Sequence, residues 1–371
     1  MTGQQQPATR ADQSSAADLL EAMEDCHRRG WTDGLPVVPP LPELVAAHVA
    51  ASGLSADTVV GEIPPAWGRA TVERIAANTV MAGCEPQAIR AVIPAIRALL
   101  DDKVGLHGVQ CTTHVASPLL VYSGPVRQQL GIESGHNCLG QGTRGNATIG
   151  RAVRLALVNI GGARPGGMDK ATFGHPGKFS YCFAENEEES PFPPYAQDAG
   201  VAPGQSAVTV FAAEAPHNVN NHYSGDPQSL LDSVADTMAT LGSNNTYMAS
   251  EILVVLGVEH ASVVAAAGWA RRHVQQYLYE KARRRVGELR RVGVYGEQVQ
   301  RNFWPVWLDR DDDQALVPIA RVPDDIKVLV AGGAGRHSLV IPGWGTRTST
   351  VSFDADAPAS AGPSNMTGDA A

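Results

Sequence analysis

The chain has 371 residues, 43% of them hydrophobic and 18% charged, and a formal net charge of −9 at pH 7. That length supports a sizeable core, and the acidic balance disfavours nucleic acid or an anionic membrane as the main partner. No stretch reaches the roughly 18 apolar residues of a membrane span, and MTGQQQPATRADQSS lacks the apolar run of a signal peptide, so a soluble, cytoplasmic protein is expected.

Residues 1–15 and 355–371 are rich in Ser, Ala, Gly, Pro and Asp and are expected as disordered tails. A first helix is expected over 16–29, where Leu19, Leu20 and Met23 share one side and Gly30 stops the run. The prolines of WTDGLPVVPPLPEL set an extended path into a helix at 42–52, and two more helices follow, the second kinked at Pro94. PLLVYSG (118–124) and KFSYCFAE (178–185) predict strands on either side of a helix at 146–162. AVTVFAAEAP (207–216) predicts a third strand, before a helix at 226–241. ILVVLG (252–257) predicts a buried strand, and one or two helices should carry the chain to about residue 292. DIKVLVAGGAGRHSLVIPGW (325–344) predicts a strand, a glycine turn and a strand; GGAG followed by Arg336, His337 and Ser338 looks like a phosphate or carboxylate turn, and a β-hairpin is an equal reading. No internal repeat is legible.

These elements predict an α/β or α+β fold with a mostly helical N-terminal part followed by a mixed β-sheet covered by helices. The expected organisation is a helical lobe over 16–104 and an α/β lobe over 105–354 that carries the site.

Four segments hold candidate chemistry. GGARPGGMDKATFGHPGKFSYC (161–182) gathers Arg164, Lys170 and His175 among six glycines, a composition suited to close approach of an anion. Its plainer explanation is an awkward connection whose charges pair with one another. Glu185, just beyond, is a candidate base. SGHNCLGQGTRGNATIGR (134–151) places Gly142, Arg144, Gly145 and Asn146 before a helix, an arrangement that can bind an anion but matches no nucleotide fingerprint. EAPHNVNNHYSGDP (214–227) offers His217 at the end of a strand. His107, Cys111, His114, His136 and Cys138 are ligand types for a divalent metal, although none shows a paired metal-binding spacing. Cys111 and Cys138 are also candidate nucleophilic or redox thiols, each beside a His in sequence, although buried, inert cysteines are the favoured reading. The five cysteines are an odd, widely spaced set, and free thiols are expected.

DGLPVVPP (33–40) and GGARPGGMDKATFGHPGKFSYC resemble an uncharacterised bacterial family over most of residues 16–350, one associated with small proteins carrying a UGSC (selenocysteine or cysteine) motif. This chain has no UGSC or CGSC sequence. The resemblance implies sulfur or redox chemistry in general terms and no established reaction or catalytic residue.

The expectation is a bacterial enzyme for a small anionic metabolite, using lyase, isomerase or hydrolase-type acid–base chemistry. Lys170, His175, Glu185 and His217 are its candidate catalytic residues. Gly142, Arg144, Gly145, Asn146 and Arg164 are its candidate ligand-binding residues. One alternative is a metal- or thiol-dependent redox enzyme; another is a non-catalytic subunit of a complex. The apolar and Arg-rich helix expected at 269–292 (Val274, Tyr277, Leu278, Lys281, Arg284, Arg285, Leu289) is a candidate oligomer or partner surface, and a long helix covering the sheet explains it as well.

Overall fold

The computed structural model describes residues 13–294, 307–309 and 311–355; the expected tails lie almost wholly outside them. The chain begins with α1 (Gln13–Arg28), α2 (Pro42–Ser52), the hairpin β1 (Val59–Ile63) and β2 (Gly68–Thr71), α3 (Val72–Met81), α4 (Ile89–Leu99) and the short α5 (Leu106–Cys111). There follow β3 (Ser117–Ser123), α6 (Val126–Gln129), α7 (Arg144–Asn159), β4 (Cys182–Ala184), α8 (Tyr195–Asp198), β5 (Ser206–Ala213) and β6 (His217–Asn220). The remainder is α9 (Pro227–Met238), α10 (Asn244–Tyr247), β7 (Ile252–Leu256), α11 (Val258–Ala266), α12 (Arg271–Lys281), β8 (Arg283–Arg285), α13 (Val286–Arg291), β9 (Leu316–Pro318), β10 (Ile326–Val330), β11 (His337–Pro342) and β12 (Ser349–Phe353).

The fold class is the expected one, with a refinement: among the described residues, beside the two-stranded pairs β1-β2 and β8-β9, the strands form two mixed four-stranded sheets instead of one, ordered β4-β3-β5-β12 and β10-β7-β11-β6. They pack face to face. Successive strand residues point to opposite faces, so each sheet has an inner and an outer set. Leu119, Val121, Phe183 and Phe211 meet Leu253, Val255, Leu329 and Ile341 between the sheets. Leu120, Tyr122, Val208 and Val210 pack outward with the helical residues Ile75, Ile93 and Leu155, so the N-terminal helices share one core with the first sheet. Val254, Val328 and Val340 pack outward with Leu230, Val264 and Val274 on the other side. The result is four layers, helix–sheet–sheet–helix.

The two sheets repeat one plan. In the first, β3 is parallel to β4, antiparallel to β5, and β5 is antiparallel to β12. In the second, β7 is parallel to β10, antiparallel to β11, and β11 is antiparallel to β6. Each parallel pair is connected through helices, α7 in one case and α11 with α12 in the other. The fourth strand of each sheet comes from the opposite half: β6 follows β5 yet joins the second sheet, and β12 follows β11 yet joins the first.

Two expectations are corrected. β10 and β11 are not a hairpin, because β7 lies between them. The stretch 269–292 is not one helix with a free face, since it breaks at Ala282 into β8 and α13. Val274, Leu278 and Leu289 are buried at 0–1% exposure in this chain's own core.

Candidate functional site

The segment 161–178 connects α7 to β4 and lies at the amino ends of β3 and β4. Its charged groups are turned toward its own backbone and one another. Arg164 is exposed and donates to the Gly30 carbonyl, and Lys170 Nζ donates to the Gly166 carbonyl at 2.9 Å. Lys178 Nζ reaches both Asp169 oxygens, at 2.9 and 2.7 Å. His175 is half-buried, edge-on to Tyr181 with ring centroids 5.5 Å apart, and its Nδ1 accepts from the Gly177 N–H at 3.1 Å. Burial holds its pKa below the ordinary imidazole value, so the ring is neutral near pH 7.

Glu185 and His217 lie elsewhere. Glu185 is 1% exposed just past β4; it accepts from the Tyr195 N–H at 2.7 Å and faces Arg271 Nη2 at 3.5 Å. Burial pushes its carboxyl up to about 7, with the Tyr195 amide and Arg271 opposing. His217 is exposed on β6, opposite Val340. Among the described residues no hydrogen bond or ion pair joins Lys170, His175, Glu185 and His217.

The expected ligand-binding turn before α7 has structural partners. Arg144 donates to the Gly83 carbonyl at 3.0 and 3.1 Å and pairs with Glu85 at 2.8 Å. Gly142 takes φ +119° in an open turn. Gly145 lies so close to the chain that a Cβ there would stand 2.4 Å from the Gly131 oxygen. Asn146, 3% exposed, accepts from the Glu133 N–H at 2.8 Å and donates to the Glu133 and Cys138 carbonyls at 3.0 and 2.8 Å. It therefore fixes the loop that carries Cys138.

The five candidate metal ligands do not converge, and among the described residues no group of three or more His, Cys, Asp or Glu is placed to hold a metal ion. His107 is exposed and stacks on Trp67, with centroids 6.1 Å apart. His114 Nδ1 accepts from the Ala116 N–H, and Nε2 is the donor to Glu214 at 2.9 Å. Cys111 is half-buried, its thiol pushed up by burial and by Asp169. All five cysteines are free.

His136 and Cys138 are brought to a different place. At the carboxyl ends of the parallel strands, the segments after β3 and β4 meet the end of β10 and the loop beyond it: the Gly332 N–H donates to the Ser134 carbonyl at 2.7 Å, and the Asn186 N–H to the Val330 carbonyl at 2.8 Å. Between them lies a cavity of about 190 Å³ lined by Cys138, Phe183, Val255 and the run Ala331–Gly335, with His337 at its rim. Burial pushes the Cys138 thiol up, and the amides of Gly332, Cys138 and Leu139 draw it partly back. A Cβ on Gly333 would lie 2.0 Å from Nδ1 of His136, so glycine there admits the imidazole against the loop. His337 shares the strand parity of Leu339, whose side chain packs toward the inter-sheet layer.

Ser338 and His260 form a second arrangement that the sequence did not reveal. His260 Nε2 faces the Asn221 carbonyl at 2.9 Å and so carries a proton, which makes Nδ1 the acceptor of the Ser338 hydroxyl at 2.7 Å. A serine bonded to an oriented histidine has the form of an activated nucleophile. Ser338 also borders the Cys138 cavity, but it is 2% exposed and its hydroxyl is turned to His260 and accepts from the Gly257 N–H at 3.3 Å, which pins α11 to the sheet.

No protein-family model matches the chain, and no curated protein matches it in sequence.

Proposed function

We propose that the protein is a cytoplasmic enzyme for a small anionic metabolite whose reaction passes through the thiol of Cys138. The single observation that carries this is the placement of Cys138 on the 190 Å³ cavity under the glycine run 332–335. Carboxyl ends of parallel strands are where α/β folds place ligands, and glycine turns leave backbone N–H groups free to face negative charge. Phe183, Val255 and Leu339 supply an apolar wall for the body of the substrate.

In this scheme His136 or His337 accepts the thiol proton, and sulfur bonds to an electrophilic carbon as the leaving group departs with that proton. Water then releases the product from the sulfur. The general lean toward sulfur chemistry from the sequence resemblance agrees with this choice over acid–base work by Lys170, His175, Glu185 and His217, which share no hydrogen bonds.

The test is a screen of small acyl and carboxylate metabolites, read by intact-mass adducts mapped to Cys138 and by turnover. Cys138→Ser should fold and lose at least about a thousandfold in turnover of any substrate found, the scale of losing a nucleophile. A Cys138→Ser protein that turns such a substrate over at the wild-type rate overturns the proposal.

A further inference from the structure

At the other end of the sandwich, Arg154 points from the middle of α7 into the protein and is 8% exposed. A guanidinium has five N–H donors and a permanent charge. Its described hydrogen-bond partners are neutral: Gln110 Oε1 at 3.3 Å and Ser117 Oγ at 2.8 Å. The Ser117 hydroxyl in turn donates to the Gly177 carbonyl at 3.0 Å, so the glycine-rich loop closes over this place. Asp169 is near enough to act on Arg154 through space, but both of its oxygens are held by Lys178 and one also by the Ala171 N–H. Glu214 is taken by His114.

Two more buried nitrogens there lack partners. Gln110, 3% exposed, spends its oxygen on Arg154 and leaves Nε2 without an acceptor. His175 Nδ1 accepts from Gly177, so the neutral ring carries its proton on Nε2, which also makes no hydrogen bond of acceptable geometry. The Ala213 carbonyl lies near that ring and favours its charged form, against burial, Lys178 and Arg154. Through space the cations Arg154 and Lys178 are set against the carboxylates of Asp169 and Glu214, yet neither carboxylate is hydrogen-bonded to Arg154. Burial without a bonded carboxylate pulls Arg154 down to about 10.

We propose that Arg154, the Gln110 amide and His175 Nε2 form a binding site for a small monoanion, either a halide or the carboxylate of a small acid. Water could accept from these donors but would leave the buried guanidinium without a bonded counter-charge, and an anion does both. The site is separate from the Cys138 cavity, so either assignment can fail alone.

The experiment titrates sodium chloride and, separately, sodium formate into full-length protein in sodium gluconate at constant ionic strength, following the melting temperature. The expected result is a saturable rise of roughly 2 °C with the preferred anion, which identifies the source as halide or carboxylate, and its loss in Arg154→Met. Gln110→Glu supplies a negative charge beside the guanidinium from within the chain. It should melt higher than wild type in gluconate and ignore added anion, which keeps the test decisive if Arg154→Met does not fold. No saturable response in the wild type, an equal response in Arg154→Met, or a destabilised Gln110→Glu that still responds overturns the proposal.

Discussion

At the residue scale, the polar side chains that matter most are those that hold loops in place. Asn146 spends its whole amide on the backbone of residues 133 and 138. Asn146→Ala would leave three buried backbone groups without partners, and a loss of about 2–3 kcal/mol is expected in denaturant unfolding. The variant should also alkylate faster at Cys138, because the loop that seats the thiol is no longer tied. Glu185 carries a pH dependence of definite sign. Its carboxyl titrates near 7 in the fold, against about 4.5 unfolded, so the folded state holds an extra proton between those values. Its contribution is therefore complete below pH 4.5 and is lost as pH rises through 7, by roughly 3 kcal/mol at most. The difference in stability between wild type and Glu185→Gln should change over that window and be flat above pH 8; a difference constant from pH 4.5 to 8 would contradict this.

At the scale of elements, α7 organises the first half. Arg151, on the same helix as Arg154, binds both oxygens of Asp33 at 2.8 Å and the Pro36 carbonyl at 2.8 Å. Asp33 also receives the Leu35 N–H at 3.2 Å. The DGLPVVPP segment is thus a clasp between the N-terminal helices and α7, with prolines that limit its alternatives. Asp33 is 6% exposed in its side chain, so Asp33→Ala strands a largely buried guanidinium, and a cost of about 3 kcal/mol is expected in thermal or denaturant melts.

These same elements show what the sequence could and could not say. α2 was legible to its ends because Pro42 starts it and Gly53, at φ +70°, stops it. β3 and β7 were legible as unbroken apolar or small runs. That same uniformity hid their faces: strands covered on both sides do not alternate, so nothing in LLVYS or ILVVL shows which residues meet a second sheet. The short strands β1, β2 and β12 carry too little pattern to stand out, and Arg154 reads from sequence as one more polar residue on a helix. The glycine run at 332–335 and the cysteine at 138 were each visible as unusual. Their meeting was not, because it depends on long-range strand order.

At the scale of the whole molecule, the two sheets repeat one plan without a repeat in sequence, and the two candidate sites sit at opposite ends of the layered core. The thiol cavity is built from loops of both halves, Cys138 from the first and Gly332–Gly335 from the second, so neither half contains it. The exchange of β6 and β12 has a further consequence. Cut between Asn221 and Asp226, the chain becomes two pieces, each of which carries the last strand of the other's sheet. Alone, each piece would expose the backbone edge of β5 or β11 and should aggregate or remain unfolded. Expressed together, they should clasp one another and elute as a single species with the melting profile of the intact chain. In this geometry the peptide bond between the halves sets their concentration relative to each other, while the interlock itself belongs to the strands.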